Sequence, residues 1–307
     1  MIDTMSVAPV TSFRDTLVRH RLLIPTGARG VYGFGAEFDR VLQRLDVLIT
    51  RAGENDGAEV LRFPSLLPRT DLEASGYLKS FPQLVGLIHA FDGDDRAHAA
   101  MLQAVAHGTD WSDALGTTDV VLTPAACYSV YPSLGGETLP SSGRLFDVLG
   151  VCFRQEPSDD PARMRMFRQR EYVCVGDAEQ CRAHRDLWIR RAQEMLNALQ
   201  LPAEAVVAND PFFGRGGRML AASQREQALK FELVVPITSV EHPTACASCN
   251  YHQDTFGRAF AIRDARGSLA HSACVGFGLE RIVLALFKHH GTTVDGWPTP
   301  VRATLGV

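Results

Sequence analysis

Two stretches far apart in the chain carry the residues best suited to chemistry. Phe153-Arg154-Gln155-Glu156 is followed by a turn-prone loop, Pro157 to Pro161, and then by a basic run from Arg163 through Met164 and Phe167 to Glu171. Gly276-Phe277-Gly278-Leu279-Glu280-Arg281 opens an apolar segment. Each stretch supplies an arginine, which stays charged at any physiological pH, on a regular element able to hold it still. Displacement at the phosphorus of ATP is served by such a pair: one cation for the phosphate under attack, another for the departing pyrophosphate. The sequence has no P-loop, and Gly276-Phe277-Gly278 lacks the third glycine of a dinucleotide fingerprint, so a nucleotide would be held another way.

The elements that must position these residues can be read from periodicity. Phe38, Val41, Leu42, Leu45, Leu48 and Ile49 recur at helical spacing across 34–50. Glu59 to Phe63 reads as a short strand, followed by Pro64 and a short helix near Leu72 to Tyr77. Phe91 to Ala106 reads as a helical excursion on the surface. Asp119 to Leu122, Val148 to Phe153 and Phe167 to Val175 read as strands, and the turn-rich loop between the last two makes them an antiparallel pair. Asp177 is placed to cap a helix running to Leu199. Lys230 to Ile237 and Phe256 to Ile262 read as strands, and Cys274 to His290 as a closing helix with Gly291 beyond. Strands joined by loops rather than by regular helical crossovers predict an α+β fold, an antiparallel sheet flanked by helices. The chain reads as a single domain over 1–307, with a helical part at 1–56 and a helical and loop insertion at 177–220.

Composition narrows the class. The 307 residues are 46% hydrophobic and 21% charged, ordinary for a globular enzyme, and the net charge of −4 supplies no global field to attract nucleic acid. No run of about eighteen apolar residues occurs, and Met1 to Val10 lacks the order of a signal peptide, so the cytoplasm is expected and a membrane is not. Seven cysteines, an odd number, argue for reduced thiols rather than a disulfide framework.

The ordered motifs resemble the class II aminoacyl-tRNA synthetases of the seryl branch. Arg154, Glu156, Arg163, Phe167 and Glu171 match the second motif of that family position by position, and Gly276, Gly278 and Arg281 match its third. Val60 to Pro68 matches the first motif loosely, and Lys230 to Pro236 resembles the strand that precedes the Cys246-x-x-Cys249 segment. The resemblance implies an antiparallel class II core and a homodimer. It implies that Arg154 meets the α-phosphate and the amino-acid carboxylate, that Arg281 and Arg163 meet the γ-phosphate, and that Phe167 stacks on adenine. Glu156 and the backbone near Met164 would read the adenine edge. Lys230 and Glu232 would lie along the ATP site, and Glu171 and Ala245 beside the substrate amino acid. Magnesium would accompany ATP, with Glu232 or Glu241 as its acidic neighbour. Taken singly, several of these residues read as ordinary ion pairs or core; the ordered set carries the assignment.

Where ordinary seryl enzymes have a glutamate, this chain has Cys127, and with Glu171 and Cys274 it resembles the atypical, zinc-dependent seryl branch. Two thiolates and a carboxylate suit zinc and leave one position open. Cys246 and Cys249 read as structural, and His184, His242, His252 and His271 show no metal-helix spacing. Too little chain precedes Val60 for the long helical arm with which seryl enzymes grip tRNA, and the net charge argues the same way. That anatomy resembles the amino acid–carrier protein ligases, which activate glycine or alanine and pass it to the phosphopantetheine thiol of a carrier protein. Arg182, Arg185, Arg190 and Arg191, or the loop Gly214-Arg215-Gly216-Gly217-Arg218, would greet an acidic carrier. A stand-alone tRNA-charging domain and a non-catalytic amino-acid sensor remain as alternatives.

Overall fold

A computed structural model describes residues 12–307; the reading of Met1 to Val10 lies outside them. Ser12 caps α1 (Phe13–Arg19) by accepting the Asp15 N–H. A hairpin of β1 (Leu23–Pro25) and β2 (Tyr32–Phe34) leads into α2 (Ala36–Gly53), whose Phe38, Val41, Leu42, Leu45 and Ile49 form the buried stripe expected from their spacing. After β3 (Glu59–Arg62), the strands β4 (Leu66–Pro68), β5 (Leu87–Phe91) and β6 (Leu115–Leu122) form a small sheet in the order β4-β6-β5. Two short helices, α3 (Arg69–Ala74) and α4 (Tyr77–Ser80), accompany it, and α5 (Asp95–Ala106) stands outside with no buried residue, as expected of a surface excursion.

The main sheet has seven strands. Past the short α6 (Val130–Ser133) come β7 (Arg144–Phe153), β8 (Met166–Gly176), α7 (Ala178–Ala198), β9 (Glu204–Val207), α8 (Gly214–Glu226), β10 (Lys230–Val235), β11 (Thr244–Gln253), α9 (Thr255–Ala259), β12 (His271–Gly278), α10 (Leu279–His290) and α11 (Thr299–Leu305). The strand order is β3-β7-β8-β12-β11-β10-β9, antiparallel throughout except for the parallel β3–β7 edge. The expected α+β sheet is therefore present, with one parallel edge.

The back of the sheet carries the larger core. Trp188 of α7 stacks on Tyr172 of β8 with ring centroids 4.3 Å apart, and Phe287 of α10 stacks on Phe38 of α2 at 5.9 Å. Asp177 caps α7 in a reciprocal capping box with Gln180. The other face is covered only in part by the β6–β7 connection and α9, and its open portion holds the site.

Three expectations are corrected. Phe256 to Ile262 is not a strand: Thr255–Ala259 is a helical turn, and Gly257 lies so close to the Ala270 carbonyl that no Cβ would fit. The missing strand is β11, which carries the Cys246-x-x-Cys249 pair. Cys274 to His290 is not one helix, because β12 runs to Gly278 and α10 begins at Leu279. A central strand buried on both faces reads as an unbroken apolar run, which periodicity alone does not separate from a buried helix. Gly214 to Arg218 opens α8 rather than forming a loop. Residues 177–220, expected as a helical and loop insertion, comprise α7, which covers the back of the sheet, β9, which extends its edge, and the start of α8.

Candidate active site

Residues directly opposite one another on antiparallel strands share a face. One row across the open face is therefore Glu171 (β8), Gly276 (β12), Ser248 (β11) and Glu232 (β10), and the next is Val173, Cys274, Asn250 and Lys230. Gln169 and Gly278 lie on the other side of the first row. Gly276 is a spacing requirement, since a Cβ there would sit 2.7 Å from Gln169 Nε2. Above these rows a single helical turn, Ala126–Ser129, is tied down by two hydrogen bonds. The Ala126 N–H donates to Gln169 Oε1 and the Cys127 N–H to Glu171 Oε1, both at 3.3 Å.

This turn delivers Cys127 to Glu171 and Cys274, and the three buried ligand atoms lie within 4.8 Å of one another. Burial, and then the Cys274 charge, push the Glu171 carboxyl well above its ordinary value. The hydrogen bond to Cys274, followed by burial, pushes the Cys127 thiol up. Cys274 moves the other way, supported first by the Cys127 hydrogen bond and then by His252 and Asn250. Asn250 Nδ2 donates to Cys274 Sγ at 3.6 Å, and His252 Nε2 lies 3.7 Å from the same sulfur. Two sulfurs and a carboxylate, buried together with no cationic side chain among them, are a donor set that fits zinc and a poor arrangement for three protein groups alone.

The other end of the face is cationic. Arg154 lies over the Phe167 ring, 5.3 Å from its centroid, with Nε donating to the Pro124 carbonyl at 3.2 Å. Arg281 donates from Nε to the Ala162 carbonyl and from NH1 to the Ala245 carbonyl, both at 2.9 Å. Burial, and then the Arg154 charge, lower its pKa from the ordinary value, with Arg163 adding to the effect. Arg163 itself is open, its side chain 59% exposed and 4.0 Å from Asp160. Pro161, Ala162, Met164, Phe167, Gly278, Glu280 and Arg281 line one pocket. An anion between Arg154 and Arg281 would meet two guanidiniums that have no ion-pair partner among the described residues.

Not every expected residue joins these two groups. Ala245 offers its carbonyl to Arg281, at the cationic end. Lys230 and Glu232 lie on β10, two strands from β12, where Lys230 pairs with Asp210 at 2.5 Å and Glu232 at 3.1 Å. Glu241 is exposed in the turn between β10 and β11, and Glu156 is half-buried just after β7. His252, Asn250 and Asp210 were not singled out as site residues. Alternation along β11 would have placed Asn250 with Ser248 on one face had that strand been recognised; the register shift between Tyr251 and Gln253 hides His252 from such a count.

The antiparallel core and the cationic pocket between its second and third motifs define a class. Residues 116–290 match the family described as the tRNA synthetase class II core domain (G, H, P, S and T), and the chain belongs to that family. Within it the chain is a ligase, 45% identical over 288 residues to amino acid–[acyl-carrier-protein] ligase 1 of Bradyrhizobium diazoefficiens, covering 94% of this chain and 88% of that one. Ligase 2 of the same organism is 46% identical over 282 residues, covering 92% and 84%. In fold, the chain resembles Methanopyrus kandleri seryl-tRNA synthetase, solved with A. aeolicus tRNASec, at a TM-score of 0.82 and 21% identity; it covers 60% of that longer chain. The resemblance expected from the motifs holds.

Proposed function

We propose that this chain activates a small amino acid with ATP as the aminoacyl-adenylate and transfers it to the phosphopantetheine thiol of a carrier protein. The observation that carries the reading is one sheet face with cations at one end and two thiols and a carboxylate at the other. The names of the relatives 45% and 46% identical supply the acceptor. In the first half-reaction a substrate carboxylate oxygen attacks the α-phosphorus, and the bond to pyrophosphate breaks. Arg154 orients the α-phosphate and the carboxylate, Phe167 packs the adenine, and Arg281 with Arg163 neutralises the departing pyrophosphate. Magnesium enters with ATP. Zinc, when held by Cys127, Glu171 and Cys274, supplies a Lewis-acidic position for the unprotonated amino group of the substrate. In the second half-reaction the thiol loses its proton to solvent, its sulfur bonds to the acyl carbon, and the bond from that carbon to the phosphate oxygen breaks, releasing AMP.

The amino acid would be a small one such as glycine or alanine; Asn250 and Lys230 continue the Cys274 row, and Lys230 is held by Asp210. The same reading makes the chain a homodimer through its Val60 to Pro68 segment; Val60 is 62% exposed on an edge strand. Among the basic groups considered for carrier docking, Arg191 is engaged with Asp56, and Arg185 with Asp186 and the Ala228 carbonyl, while Arg190 and Arg218 are exposed. All seven cysteines are free, which suits a reducing cytoplasm, and among the described residues no helix is long and apolar enough to cross a membrane.

The test is pyrophosphate exchange across an amino-acid panel, followed by transfer to a phosphopantetheinylated carrier or to tRNA. Exchange with glycine or alanine and thioester formation on the carrier are expected. No exchange with any amino acid would remove the activation reading, and charging of tRNA instead of carrier would overturn the acceptor.

A further inference from the structure

Where β12 leaves the sheet, a side chain takes over its role. The strand pairs with β8 as far as Gly278 opposite Gln169. One residue beyond, the Arg168 N–H donates to Glu280 Oε2 at 2.8 Å. The same carboxylate accepts from Arg168 Nε at 2.8 Å through Oε1, and the guanidinium continues to Asp39 Oδ1 of α2 at 3.1 Å. Glu280 is thus a bidentate acceptor for one backbone and one side-chain donor, which restrains direction as well as distance. It is 2% exposed, lies in the first turn of α10 and immediately precedes Arg281.

We propose that Glu280 is a positioning residue for ATP: bound to Arg168, it fixes where and in what direction α10 leaves the sheet, and so holds Arg281 beside Arg154 over the triphosphate. This rests on the ATP reading of the site given above. On the pocket side, Arg281 is held by two carbonyls from separate segments, Ala162 and Ala245. Those bonds can form together only if the start of α10 is held in place, and the Glu280 carboxylate ties it to β8 from behind. Phe167, the expected adenine platform, is the neighbour of Arg168 on β8, so one contact sets the adenine wall and the phosphate cation relative to each other.

The same strand contains a control. Arg170, two residues on and facing the same way, binds Asp147 of β7 and both Asp46 and Thr50 of α2, with no partner on α10. It fastens α2 to the sheet, so its loss would weaken the fold without turning Arg281.

The experiment is calorimetric binding of a non-hydrolysable ATP analogue with magnesium, on full-length protein with melting temperature and zinc content recorded. Glu280→Ala should weaken analogue binding about tenfold with zinc unchanged, the loss expected when a charge-assisted pair no longer orders a ligand-binding group. Glu280→Gln keeps an acceptor for the Arg168 N–H and should weaken binding about threefold. Asp46→Asn should lower the melting temperature and leave analogue affinity alone. Analogue affinity equal to wild type in folded Glu280→Gln and Glu280→Ala overturns the proposal. If Glu280→Ala does not fold, Glu280→Gln decides alone, and wild-type affinity there is again fatal. Wild-type protein that fails to bind the analogue would remove the ATP reading itself, and the positioning role with it.

Discussion

The two ends of the open sheet face are electrostatic opposites built by different means. At the cationic end, Arg154 and Arg281 are long side chains held at their nitrogens by backbone carbonyls, and Arg163 stays loose in the loop. At the other end, Cys127, Glu171 and Cys274 are short or restrained groups, fully buried and joined by hydrogen bonds from Asn250 and the Cys127 backbone. Arg154 and Arg281 converge at one end with no ion-pair partner among the described residues, and three acidic groups converge at the other with only the His252 imidazole beside Cys274. On the reading proposed above, ligands would complete such a face, polyanionic at one end and cationic at the other. The separation also means that each half should fail by itself when altered, which makes the comparison open to test.

The largest effect is expected from the buried end. Cys274→Ser or Cys127→Ser should remove bound zinc and abolish amino-acid activation while ATP-analogue binding persists; Cys249→Ser, in the core behind, should keep its zinc. Elemental analysis of purified variants decides this, and unaltered zinc in the first two would refute the ligand assignment. Next in size, Arg281→Ala should lower the exchange rate about a hundredfold or more, as loss of a preorganised charge-stabilising donor does, with zinc retained. Loss of zinc in that variant would mean that the two ends are not separable.

A substitution between the ends should be milder. In Gly276→Ala the new Cβ would meet Gln169 Nε2 at 2.7 Å and move an amide whose oxygen holds the Ala126 N–H. The turn carrying Cys127 should loosen, and zinc retention against a chelator should fall about tenfold, the usual scale for a disturbed supporting contact. The smallest effect concerns pH. Burial is the largest single influence and works to raise the Asp210 carboxyl, but the Lys230 charge, the hydrogen bonds from Gln224 and Lys230 and the Arg154 charge together outweigh it and hold the group below its ordinary 3.8. A carboxyl lowered in the folded state contributes stability above its unfolded pKa, and that contribution disappears as pH falls through the lower folded value. Urea midpoints of wild type and Asp210→Asn should therefore differ at pH 7 and converge as the pH falls below the lowered folded value; a gap that persists in acid would mean that the ionised Asp210 carboxylate is not the source.

Local chemistry accounts for what could be read before the fold. Phe38 to Ile49 show α2 because one helix face must be apolar, and Asp177 with Gln180 caps α7 through contacts only three residues apart. The strand–loop–strand of the second motif follows from its turn residues. β12 is hidden in an apparent helix because its residues from Ser272 to Phe277 are buried on both faces, where alternation carries little information, whereas β11 does alternate between half-buried Ser248 and Asn250 and buried Cys249. His252 escaped for a related reason: its place beside Cys274 depends on a register shift, which no local pattern announces.

By itself the sequence determined which groups exist and in what order: the arginines that stay charged, the thiols and the carboxylate, and the family to which their spacing points. Only the tertiary structure decided that Cys127, Glu171 and Cys274 meet, that Arg281 is held by Ala162 and Ala245, and that Glu280 completes the ladder for Arg168. These contacts join residues from separate strands, turns and helices. Their distances are set by sheet register and by the exit point of α10, quantities that arise only when the whole core packs.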